Sequence, residues 1–196
     1  MINMPSVIRL ELPSDKYKDS YIAAVIENQN NPIRNQSDAH YDNIDIEKAK
    51  ADFYGYVVLP KLDKMDKDKI PVDRVPGTEY WIIDKDGYAG RISLRHYLNE
   101  ALKNDAGHIG YDVIPGKRGR GYAKEALLLA LEKAREKEID EVILACFTDY
   151  TPSRKVIENA MQIMGGRVIK NYESDGKENI QFAVRTSNKK SIVGSS

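Results

Sequence analysis

The chain has 196 residues, enough for one domain with a hydrophobic core. Its 30 Lys and Arg balance 30 Asp and Glu, so no global field favours nucleic acid or an anionic membrane. Cys146 is the only cysteine, which excludes an internal disulfide and suits a reducing, cytoplasmic setting; neither a membrane span nor a signal peptide is expected.

In chain order, residues 7–12 alternate and predict a strand that Pro13 ends. Ser14 suits the cap of a helix with Tyr17, Tyr21, Ala24, Val25 and Asn28 on one side. Residues 28–42 are polar and read as a surface loop. A second helix is expected from near Asp45 past Phe53, with no clear pattern around 57–60, and the charge run 63–73 reads as a solvated loop. Residues 78–83 and 88–95 are two strands around the turn Asp84-Lys-Asp-Gly87. Residues 96–105 are a short helical excursion or a loop, and 108–114 form the next strand.

A helix from about Arg120 to Glu138 is the strongest element, with apolar residues at 123, 126, 127, 130, 131 and 134. Residues 142–147 are almost all apolar and predict a strand buried on both faces. Thr151-Pro152 starts another helix, apolar at 156, 157, 160, 161 and 164, and Gly165-Gly166 ends it. A last hairpin covers 168–172 and 180–185 around Asp175-Gly176, leaving 187–196 as a frayed tail. The order β-α-α-β-β-β-α-β-α-β-β makes 1–186 one α/β domain: a mixed, mostly antiparallel central sheet with helices on both faces.

Between the strand ending at Ile114 and the long helix lies Pro115-Gly-Lys-Arg-Gly-Arg-Gly-Tyr-Ala123. The first amides of a helix lack partners inside it, and the helix dipole adds partial positive charge there. Glycines carry no Cβ, so an anion can approach the backbone. The site therefore suits a pyrophosphate, held by hydrogen bonds of roughly 1.5–3 kcal/mol each. A P-loop would need Gly-Lys-Ser/Thr, but Gly121 is followed by Tyr122-Ala123. A dinucleotide fingerprint would need Gly or Ala three residues after Gly121, where Lys124 stands.

What remains resembles the acyl-CoA signature of the GNAT superfamily of N-acetyltransferases, and the order of elements matches it over roughly 6–186. The segments 94–99, 107–111 and 153–159, the last followed by Gly165-Gly166, are similar to a bacterial group of predicted acetyltransferases. The resemblance implies acetyl-CoA as co-substrate, lying where the strand ending at Ile114 splays from 142–147. Backbone groups near Val113 and Ile114 would pair with the pantetheine arm. Arg118, Gly119, Arg120, Gly121, Tyr122 and Ala123 would hold the pyrophosphate, and Lys117, Arg118 or Arg120 could reach the 3′-phosphate. Ser153 joins the cofactor set through its segment, while Tyr122 could lean on the cofactor or simply pack.

The resemblance also exposes departures. Gly116 replaces a usual Gln or Arg, Tyr150 a usual Asn, and Ile157 the tyrosine that often serves as general acid. More residues separate Asn159 from Gly165 than in the closest pattern. His108 stands where several members carry a glutamate and is the candidate base, with a structural histidine as the other reading. His96 would lie across the sheet from it if 96 and 108 pair, and Glu100 is the nearest carboxylate in sequence. Asp112 is expected to face solvent, Trp81 to be core and Cys146 to be a buried, inert thiol. The implied activity is direct transfer of acetyl to an amine of a small molecule or peptide, with a non-catalytic acyl-CoA-binding module as the alternative. No metal, nucleic acid or membrane partner is called for, and a homodimer is left open.

Overall fold

The computed structural model describes residues 7–31, 39–174 and 176–187. The expected tail falls outside them except for Ser187, and so do residues 32–38 of the expected loop and Asp175 of the last turn. Strands β1 (Arg9–Glu11), β2 (Gly77–Asp84), β3 (Gly87–Arg95) and β4 (Ile109–Val113) form an antiparallel sheet in chain order. Strands β5 (Glu141–Phe147), β6 (Gly166–Ser174) and β7 (Lys177–Arg185) form a second antiparallel sheet in the order β5-β7-β6.

After β1, Ser14 caps a tight turn by accepting from the Lys16 amide, and helix α1 (Lys18–Gln29) follows. The segment expected as loop closes with a short helix, α2 (Ala39–Asp42). Asp45 caps α3 (Ile46–Ala51) by accepting from the Lys48 amide. That helix stops at Asp52, whose carboxylate takes the Gly55 amide; the chain then makes a wide turn over Tyr54–Val58 into α4 (Leu59–Leu62). Asn99 caps α5 (Glu100–Asp105), so the helical reading of 96–105 holds. The long helices are α6 (Tyr122–Glu136) and α7 (Thr151–Met164).

Alternation in β2 and β3 divides the core. Trp81, Ile83, Tyr88 and Ile114 pack with Tyr21 and Val25 of α1, Tyr41 of α2 and Phe53. Tyr21 stacks on Trp81 with ring centres 4.9 Å apart. On the opposite face Ile82, Ile92, Leu94 and Ile109 pack with Leu127, Leu131 and Ala134 of α6 and Ile157 and Ala160 of α7. The same cluster holds Leu144 of β5 and Phe182 and Val184 of β7, so α6 and α7 cement the two sheets. Strand β5 is not buried on both faces: Val142, Leu144 and Cys146 are buried, whereas Ile143, Ala145 and Phe147 are only half-buried. Its hydrogen-bonding edge toward β7 is paired along its whole length, and its other edge meets β4 at one point.

Candidate active site

That point is a joint. The His108 amide donates to the Ile143 carbonyl at 2.7 Å, and the Ile143 amide donates back to His108 Nδ1 at 2.9 Å. Gly107 makes it feasible: its φ is +117°, and a Cβ there would collide with the Ile143 carbonyl. Beyond the joint the strands splay. Arg95 N–H bonds the His108 carbonyl and Ile114 N–H bonds the Ala89 carbonyl at 3.0 Å. Antiparallel alternation between those ends turns the backbone groups of Ile109, Tyr111 and Val113 toward the gap. Arg118 Nε caps the Val113 carbonyl at 3.0 Å. Ile114 is used up within the protein: its carbonyl takes the Lys117 amide at 3.0 Å and its side chain sits in the α1-side core.

At the wide end of the gap the chain bends into α6. Gly119 and Gly121 have φ of +76° and +83°, values that L side chains rarely adopt. A Cβ on either would meet nothing within 4 Å, so the space over the bend is open. The amides of Gly119, Arg120, Gly121, Tyr122 and Ala123 donate to no other described residue. The earlier amides differ: Gly116 N–H is held by the Glu27 carboxylate, and Arg118 N–H by the Pro115 carbonyl at 3.2 Å. The anion cradle thus spans 119–123 and excludes 116–118.

The three cations of the bend divide their tasks. Lys117 is pinned by Asp84 at 2.7 Å and Asp86 at 2.8 Å, and these carboxylates raise its pKa against the effect of burial. Tyr122 donates to the same Asp84 at 3.0 Å with its ring in the core, which makes it a brace beneath the bend. Arg120 gives one N–H to the Gly116 carbonyl at 3.1 Å and is otherwise exposed, with donors to spare.

Across the gap, Tyr111 of β4 reaches the start of α7. Its hydroxyl lies 3.0 Å from Ser153 Oγ, a contact in which either oxygen can donate, and 3.3 Å from the Ser153 carbonyl. Burial pushes the phenol well above its ordinary value, against the Ser153 bond. Burial likewise raises the Cys146 thiol to about 11, so it stays protonated and inert at neutral pH. The sequence reading missed Tyr111 because it sought a phenol at 157 of α7; a partner on a neighbouring strand leaves no spacing signal.

The proposed acid–base residues do not assemble. Nδ1 of His108 accepts from the Ile143 amide, so its hydrogen is on Nε2 and no lone pair is free for an amine proton. Burial and then Arg95 hold its pKa down to about 4. The ring is a structural joint. The register pairs Leu94 with Ile109, hence Arg95 with His108; this is one residue off the pairing expected for His96. A one-residue shift reverses the face, and His96 instead bonds Thr78 Oγ1 at 2.8 Å. Glu100 is exposed at the start of α5 and paired with Lys103 at 2.9 Å. Asp112 does not face solvent: it is buried, 2.6 Å from Arg91, and accepts from Tyr41 at 2.6 Å.

A family model described as an acetyltransferase (GNAT) domain matches residues 11–160. Among solved structures, one of the ribosomal alpha-N-protein acetyltransferase RimL with coenzyme A has a TM-score of 0.63 at 14% identity, covering 93% of this chain and 97% of that one. The microcin C7 self-immunity acetyltransferase MccE, solved with acetyl-CoA and AMP, has a TM-score of 0.60 at 17% identity, covering 92% and 93%. The acetyltransferase yncA from Salmonella typhimurium, with acetyl-CoA, has 0.55 at 10%, covering 93% and 95%. No curated protein sequence matches.

Proposed function

This chain belongs to the GNAT acetyltransferase family, whose members take acetyl from acetyl-CoA, and we propose how its own residues perform the transfer to an amine. The carrying observation is the run of unpartnered amides at 119–123, opening to free space beside the unpaired edge of β4. The diphosphate of acetyl-CoA binds those amides, with Arg118 and Arg120 at its rim. The pantetheine arm then extends the β4 edge toward the joint, pairing with the backbone of Val113 and Tyr111.

The acceptor amine, from a small molecule or peptide, attacks the thioester carbonyl directly. The N–C bond forms, the C–S bond breaks, and a β4 amide stabilises the oxyanion between those events. The departing thiolate takes its proton from water and is stabilised meanwhile by a hydrogen bond from the Ser153 hydroxyl, whose oxygen accepts in turn from Tyr111. The amine loses its proton to water. Deprotonating a lysine-like amine of pKa about 10.4 at pH 7 costs roughly 4–5 kcal/mol. Positioning it against the thioester contributes about 7–11 kcal/mol, which is larger. A reducing, cytoplasmic setting belongs to the same proposal, supported by the buried free thiol of Cys146.

The test is acetyl-CoA binding to a Gly119→Val, Gly121→Val double variant by calorimetry. Side chains at positive φ both strain the bend and fill the cradle. Affinity is expected to fall at least about a hundredfold, the value of one or two charge-assisted hydrogen bonds. Parent-like affinity in a folded double variant overturns the assignment.

A further inference from the structure

We propose that the acceptor of this acetyltransferase carries an oxyanion, a carboxylate or a phosphate, and that Arg95 binds it beside the joint of β4 and β5. The proposal rests on the cofactor site described above. It begins from the shared face of three strands: Glu79 on β2, Arg91, Ser93 and Arg95 on β3, and His108, Gly110 and Asp112 at β4. This is the face opposite α6, and it borders the gap at the end away from the diphosphate cradle.

Arg95 is anomalous on that face. It is half-buried, and its one side-chain hydrogen bond goes from Nη1 to the Gly107 carbonyl at 2.7 Å. Among the described residues no carboxylate pairs with it. The charges that reach it are those of Arg91 and Arg74, both cations. Arg91, by contrast, is neutralised by Asp112 at 2.6 Å. A guanidinium removed from water without a counter-ion is costly unless something supplies the charge. Lys61 and Lys64 continue the trend by flanking one carboxylate, Glu79, at 3.3 Å and 3.5 Å. Lys61, Lys64, Arg91 and Arg95 therefore outnumber Glu79 and Asp112 in a chain whose net charge is zero.

A guanidinium has five donors in a planar fork that fits a carboxylate or phosphate edge. An oxyanion there, on the strand directly beside the joint, leaves a neighbouring amine of a compact zwitterion at the thioester end of the gap. Polyamines would meet like charge and be rejected.

Thiol release from acetyl-CoA by the full chain, measured with matched acceptors, decides the matter. One pair is glycine and glycinamide, the other phosphoethanolamine and ethanolamine; spermidine is the cationic control. The two pairs separate carboxylate from phosphate as the anion. An anionic member is expected to be preferred by at least about tenfold in kcat/KM. Arg95→Gln should raise KM for that acceptor roughly tenfold to a hundredfold, leaving KM for its neutral partner and affinity for acetyl-CoA unchanged. Arg95→Lys should fall between. If Arg95→Gln does not fold, Arg95→Lys reads the same split, and the wild-type preference stands by itself as a test. Equal losses for both members of a pair would make Arg95 a brace for Gly107 and overturn the proposal. So would preference for neutral or cationic amines, or no turnover of any anionic amine by a chain that binds acetyl-CoA. Failure to bind acetyl-CoA at all would instead sink the cofactor assignment.

Discussion

Ser153 and Tyr111 stand 3.0 Å apart and divide one task between a hydrogen-bond donor and its support. Ser153→Ala removes the hydrogen-bond donor to the leaving sulfur, and kcat is expected to drop roughly a hundredfold, the value of one hydrogen bond to a charged group. Tyr111→Phe keeps the ring in the core and removes only the backing hydroxyl, so its loss should be smaller, about tenfold, with little change in KM for acetyl-CoA. Single-turnover rates for the two variants check the order; a larger loss for Tyr111→Phe would make the phenol itself the donor. Ser153 was legible in the sequence because it opens a helix in a recognisable segment. Tyr111 was not, since 42 residues separate the two and only the placement of α7 against β4 unites them.

At the scale of elements the decisive feature is the joint between β4 and β5. Its chemistry predicts a pH dependence of stability with a definite sign. His108 is depressed in the fold from 6.5 to about 4, so between those values the unfolded chain binds a proton that the folded chain does not. The joint's contribution is therefore complete above about pH 6.5 and lost as pH falls toward 4. Discounted for partial exposure, the loss is on the order of 2 kcal/mol. His108→Asn retains a side-chain acceptor for the Ile143 amide but cannot titrate, so its stability should decline less over that interval. Denaturant midpoints at pH 7, 6, 5 and 4 measure this. The pH–rate profile of the variant should parallel that of the parent above pH 6; a lost inflection near neutrality would restore His108 as the base. Periodicity revealed the strand and the histidine on it. Alternation bore on the register, since Arg95 opposite His108 aligns Ile92 with Tyr111 and Leu94 with Ile109, whereas the one-residue slip sets Ile92 opposite Asp112; what stayed invisible was the turn of His96 out of the strand toward Thr78.

For the whole molecule, two cores share one set of strands: Trp81 and Ile83 face α1 while Ile82 faces α6. Neither face can loosen without disturbing the other, so unfolding should be a single transition. Leu127→Ala, on the α6 face, is expected to cost about 2–5 kcal/mol. The fluorescence of Trp81, on the opposite face, should shift its midpoint together with the far-ultraviolet signal; separate midpoints would show the two cores to be independent. The order of the strands, both long helices and the glycine bend followed from the sequence alone, because helical spacing, capping residues and glycine's access to positive φ are local properties of the chain. The free amides at 119–123, the pinning of Lys117, the separation of His96 from His108 and the cationic face around Arg95 were decided only by tertiary structure. Each depends on which distant group arrives beside a residue, and sequence spacing does not encode the splay of the two sheets or the burial that set those meetings.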